Sequence, residues 1–121
     1  MSPGRRVIQR RGERVAPLSP SPEWELRFAT NEAAEGWEDL CRQAPGPTKS
    51  CWQQLRPDPL RRDRRQHPLH DKLSHRTVGG QQLEQWQKEV TGAGRVWYCP
   101  DPKSRTVWMT DASIGHPKAT E

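Results

Sequence analysis

Residues 82–112 read QLEQWQKEVTGAGRVWYCPDPKSRTVWMTDA. Three short runs within them, 82–90, 94–99 and 105–112, are aromatic or β-branched. Gly92-Ala93-Gly94 and Asp101-Pro102-Lys103-Ser104 separate them. Runs of this kind bounded by turn chemistry predict strands. Connections so short join antiparallel neighbours, so the stretch is expected to form a meander.

Upstream the period changes twice. Trp24, Leu26 and Phe28 alternate with Glu25 and Arg27, which predicts a strand with one buried face. Thr30 or Asn31 can then cap a helix, with Glu32 in its first turn. Ala33, Ala34, Trp37, Leu40 and Cys41 follow at helical spacing to about Gln43. After Pro45-Gly46, Pro47 suits the first turn of a second helix, where its missing N–H costs nothing. Cys51, Trp52 and Leu55 give that helix an apolar stripe, and it ends before Pro57. Residues 57–80 lack strong periodicity and close at Gly79-Gly80. Leu69 and Leu73 suit a short strand or turn there. The expected architecture is α+β in two layers. An antiparallel sheet of about four strands packs against an N-terminal helix pair, in the order β-α-α-β-β-β.

Composition bounds the rest. Of 121 residues, 31% are hydrophobic and 29% charged, which leaves no stretch apolar enough for a membrane span. Aliphatic residues are scarce, but there are six tryptophans. Each aromatic ring buries roughly 150–250 Å², so a small tryptophan-stapled core is expected. The odd count of three cysteines, with no CxxC pair, reads as a reduced cytoplasmic protein. Cys41 and Cys51 are expected as small hydrophobes in the helices. His67, His70 and Cys99 match no standard zinc spacing, and no metal or cofactor is expected.

Charge is concentrated rather than spread. Residues 1–22 carry five arginines against Glu13 alone, and their Ser-Pro pairs predict an unstructured basic tail preceding a domain at 23–121. Residues 56–76 hold Arg56, Arg61, Arg62, Arg64, Arg65, Lys72 and Arg76 against Asp58, Asp63 and Asp71. His67, His70 and His75 lie among them. Such a patch suits a polyanion, of which nucleic acid is the commonest.

The ordered set of these features resembles the RelE/ParE superfamily of type II toxin–antitoxin systems. The carrying residues are the basic loop HPLHDKL (67–73), the strand LEQWQKEV (83–90), the strand GRVWY (94–98), similar to an Arg-aliphatic-aromatic pattern, and TVWMTDASIGHPKATE (106–121). The resemblance covers about residues 23–121. It implies a metal-independent, ribosome-associated endoribonuclease acting on mRNA, with a cognate antitoxin as partner. In that chemistry the 2′-OH attacks the adjacent phosphorus, so a base, an acid and phosphate-holding cations are needed.

By the same resemblance, Arg95 clamps the scissile phosphate, to which a guanidinium is matched in shape. His116 in the tail exchanges protons, as an imidazole with its ordinary pKa near 6.5 can, and Lys118 adds charge. His70 and Lys72 supply the base or bind flanking phosphates, and Arg64, Arg65 and Arg76 extend the RNA-binding surface. Tyr98 and the strand tryptophans Trp86, Trp97 and Trp108 are expected to pack rather than react. The chain departs from the pattern in having no tyrosine after the last strand, since Tyr98 is its only one. Two other readings stay open: a gyrase inhibitor of the ParE branch, and a non-catalytic nucleic-acid binder.

Overall fold

Thr30 starts the first helix. Its backbone is extended and its side-chain oxygen accepts from the Ala33 N–H at 2.9 Å, so α1 runs Asn31–Gln43. A single residue, Ala44, separates it from α2, Pro45–Leu55, whose entry is set by proline in the first turn. The Thr48 hydroxyl reaches back 3.0 Å to the Leu40 carbonyl and ties the two helices together. This computed structural model describes residues 11–13, 15 and 23–115.

The strands are β1 (Glu25–Phe28), β2 (Gln66–Pro68), β3 (His75–Val78), β4 (Gln81–Glu84), β5 (Trp86–Glu89), β6 (Arg95–Asp101) and β7 (Thr106–Ser113). Five form one sheet in the order β1-β7-β6-β5-β2, and β3 pairs with β4 separately. The class is α+β, but the sheet is mixed. β1 lies parallel to β7, with Leu26 opposite Val107, while the other pairs are antiparallel. The expected four-stranded antiparallel sheet is corrected accordingly. The helices intervene between β1 and the rest, which supplies the long crossover that a parallel pair needs.

The run at 82–90 is not one strand. Gln85 breaks it: its backbone N–H donates to Ser74 O at 2.8 Å and its side-chain amide to Leu73 O at 2.9 Å. The Thr110 hydroxyl donates to Gln85 Oε1. β4 therefore belongs to the hairpin with β3, turned by Gly79 and Gly80 at φ 58° and 82°. The region 57–80 contributes β2, a short 3₁₀ turn at Asp71–Leu73, and β3.

One face of the sheet is apolar. Leu26, Phe28, Val96, Tyr98, Val107 and Met109 are buried in one core with Ala33, Ala34, Trp37, Leu40, Cys51, Trp52 and Leu55 of the helices. Every tryptophan but Trp108 is buried. Cys51 behaves as the small hydrophobe expected, whereas Cys41 is exposed.

Of the segment expected as a basic tail, residues 11–13 and 15 are described and the rest lies outside the described residues. Gly12 N–H donates to Phe28 O and Val15 N–H to Leu26 O, both at 2.6 Å, and Val15 is buried. β1 would otherwise present an open edge, and these residues satisfy its backbone groups. Among the described residues no helix is long and apolar enough to cross a membrane.

Candidate nucleic-acid interface

Cross-strand partners share a face, so the register reads as rows across the sheet. On the face away from the helices, one row is His67, Gln87, Trp97 and Asp111. The next row begins at Arg65, whose carbonyl accepts from the Glu89 N–H at 2.7 Å, and continues through Glu89, Arg95 and Ser113. Successive rows on a face lie two residues apart, about 6.6–6.8 Å.

Glu89 joins the arginines of its row. Its Oε1 accepts from Arg65 Nε at 3.1 Å, and its Oε2 lies 3.6 Å from Arg95 Nη1. Arg65 is mostly exposed, while the Arg95 side chain is only 14% exposed. Arg95 Nη1 also donates to the Thr91 and Gly94 carbonyls, both at 3.0 Å, so this guanidinium braces the β5–β6 turn. Thr91 Oγ1 in turn accepts from Gly94 N–H at 2.7 Å. A carboxylate held between two guanidiniums occupies the kind of position a phosphate group would take.

His67 sits one row away and is half-buried. Its Nδ1 is 3.0 Å from the Pro68 carbonyl. A carbonyl only accepts, so Nδ1 carries the proton and a neutral ring presents its lone pair at Nε2. His70 stacks on it, with centroids 6.4 Å apart at 14°. His75 lies on the separate hairpin, beside Ser74 Oγ at 3.0 Å.

The sequence-predicted residues thus divide. The structure gathers Arg65 and Arg95 around Glu89 and sets His67 in the adjacent row, with His70 stacked on the His67 ring. Arg64 and Lys72 are exposed in the connection and make no ion pair among the described residues. Arg76 is exposed on β3, on the flank near Trp108, where both line a hollow of about 740 Å³. His116 and Lys118 lie outside the described residues; Arg95 pairs across the sheet with Ser113, three residues before His116 in sequence.

Two participants were not singled out from sequence. These are Glu89, and His67 beyond its place in the basic patch. The available signal was the alternation of Gln87 and Glu89 against Trp86 and Lys88, once Trp86 is known to face the core. On the helix side of β5, Lys88 is buried and its ammonium donates to Gln66 Oε1 at 3.1 Å. Burial lowers its pKa below the usual lysine range, against the pull of the Cys51 thiol and Asp63. Nearby, Asp63 accepts from the Arg65 and Gln66 N–H groups at 2.8 and 3.0 Å, and these backbone donors, with Arg61, hold its carboxyl below the usual range.

Tyr98 is fully buried on the helix side. Its hydroxyl donates to the Pro59 carbonyl at 2.9 Å, and burial pushes its pKa far upward. It lies in the core, on the opposite side of the sheet from His67. Comparison with protein-family models, with curated proteins and with solved structures returns no match to this chain.

Proposed function

We propose that the sheet face away from the helices, along the Arg65–Glu89–Arg95 row, binds RNA and cleaves it without a metal, as the toxin of a toxin–antitoxin pair does. The observation that carries this reading is the neighbouring pair of rows: an imidazole with Nε2 free beside two arginines that already clamp an oxyanion, Glu89. A phosphodiester displaces Glu89 from between Arg65 and Arg95. His67 Nε2 takes the proton of the 2′-OH as the 2′ oxygen bonds to phosphorus. The P–O5′ bond breaks, and the 5′ oxygen leaves with a proton from an acid, the role the resemblance gives to His116. The products are a 2′,3′-cyclic phosphate and a 5′-hydroxyl. Arg64, Lys72 and Arg76 hold flanking phosphates, with His70 against the His67 ring. Lys118 adds charge from the tail. A cognate antitoxin and the ribosome are the partners this reading requires.

The test incubates the full chain with end-labelled mRNA in EDTA, with and without ribosomes. Cyclic-phosphate ends are expected from the wild type. Removal of a general base lowers such rates by about 10²–10⁴-fold, and His67→Gln is expected to fall in that range while still binding RNA. Absence of cleavage under both conditions ends the nuclease reading.

A second reading has its own observation. Arg95 is tied to two backbone carbonyls as well as to Glu89, which suits a fixed binding surface better than a mobile clamp. A non-catalytic nucleic-acid binder would retain RNA in the same assay and leave it whole.

A further inference from the structure

The helices do not cover the whole of their side of the sheet. α1 packs on β7 and β1, and toward β5 and β2 the layer gives way to a cavity of about 520 Å³. Its walls come from α2, the connection after it, β2 and β5. Lys88 projects from β5 on this side and lines the cavity, although only 7% of the residue is exposed. An ammonium has three protons to donate. One goes to Gln66 Oε1, and no carboxylate among the described residues lies within ion-pair distance of Nζ. A buried charge without a counter-ion is costly, and proteins normally pair it.

The other charges around the cavity are largely spoken for. Arg61 pairs with Asp63 at 3.3 Å and Arg65 with Glu89 at 3.1 Å. What remains is the Lys88 ammonium and the carboxylate of Asp58, which also lines the space. One uncommitted cation favours one negative charge, and Asp58 opposes a second. Pro57 and Val90 add apolar wall beside the charge.

We propose that this cavity binds a small organic monocarboxylate, whose carboxylate takes the two remaining Lys88 protons and whose carbon chain lies against Pro57 and Val90. The site is on the opposite side of the sheet from His67 and does not depend on the RNA reading. Burial, with Arg65 and Arg61 adding, lowers the Lys88 pKa, while Cys51 and Asp63 act the other way. A bound carboxylate favours the charged form, so affinity is expected to fall as pH rises and the ammonium loses its proton.

The experiment titrates butyrate into the full chain, following backbone amide resonances of α2 and β5. Wild type should give a saturable shift localised to these elements, weaker at alkaline pH. Losing a charge-assisted hydrogen bond weakens binding by about tenfold to hundredfold, and Lys88→Met should do so. Methionine matches the lysine stem and removes an unpaired buried charge, so this variant should fold, which circular dichroism checks. Inorganic phosphate should not compete in the wild type but should bind Asp58→Asn. No saturable shift in the wild type overturns the proposal. So does undiminished binding in Lys88→Met, or phosphate binding more tightly than butyrate to the wild type.

Discussion

Replacing Gly36 with alanine sets two effects of opposite sign against each other. In an exposed helix the change gains about 1 kcal/mol, because alanine is the better helix former. Gly36, however, lies in α1 where the helix crosses β7. A Cβ built there falls 1.8 Å from the Ala112 carbonyl oxygen and 2.5 Å from its carbon. Real Cβ contacts do not come below 3.0 Å, and the obstacle is backbone rather than a side chain that can rotate away. The helix must retreat by more than an ångström. A radial gap of about 0.5–1 Å forfeits a quarter to a half of each dispersion contact. That loss falls on Ala33, Ala34, Trp37 and Leu40, all buried against the sheet.

Overpacking of this kind costs about 1–3 kcal/mol, and a backbone obstacle places it at or above the upper end, so a net loss of about 2 kcal/mol or more is expected. For a domain of this size the melting temperature should fall by about 8 °C or more. Urea denaturation provides the assay, read as a lower midpoint at unchanged slope. Gly92→Ala is the control. Its Cβ meets nothing within 4 Å, so it should be neutral or stabilising by up to about 1 kcal/mol. A Gly36→Ala protein as stable as wild type would refute the close packing of α1 on β7.

Other tests address single groups. The single tyrosine makes an absorbance titration specific to Tyr98, whose folded pKa lies above its unfolded value near 10. Its contribution is present below pH 10 and lost above it, so phenolate should appear only as the protein unfolds. Tyr98→Phe orphans the Pro59 carbonyl and should cost about 1–3 kcal/mol by urea midpoint. Lys88 has a folded pKa below its unfolded 10.5, so the unfolded chain holds more protons in that window and stability rises with pH through it. Cys51 and Cys99, pushed up to about 12, act oppositely and lose stability above pH 9. The midpoint advantage of Lys88→Met over wild type should therefore shrink as pH approaches 10.5, and a constant difference would contradict the burial argument. Glu89→Gln removes the anion between Arg65 and Arg95 and should tighten RNA binding in a filter assay, most visibly at low salt. Unchanged affinity would place the RNA elsewhere.

Local chemistry made much of this fold legible from sequence. Alternation at Trp24, Leu26 and Phe28, the Thr30 cap, the prolines opening α2 and the Asp101 turn are each written within a few residues. Each element duly lies where that chemistry places it. The packing of five tryptophans followed from the shortage of other apolar side chains. The basic surface followed from the arginine run.

Pairing was not legible, because a strand's own residues do not name its neighbour. β1 alongside β7 joins residues about eighty positions apart, and Gly12, Glu13 and Val15 bond to its free edge. The division of 82–90 depends on Gln85 finding Leu73, Ser74 and Thr110, none of them adjacent in sequence. The candidate site depends on register in the same way. Glu89 meets both Arg65 and Arg95 only because β2, β5 and β6 align in one row, and a slip of one residue would turn all three to the other face. The sequence by itself determined β1, the two helices, β6 and β7, and where positive charge gathers along the chain. Only the tertiary structure decided which charges meet, because that choice is made by packing between distant segments rather than by neighbours along the chain.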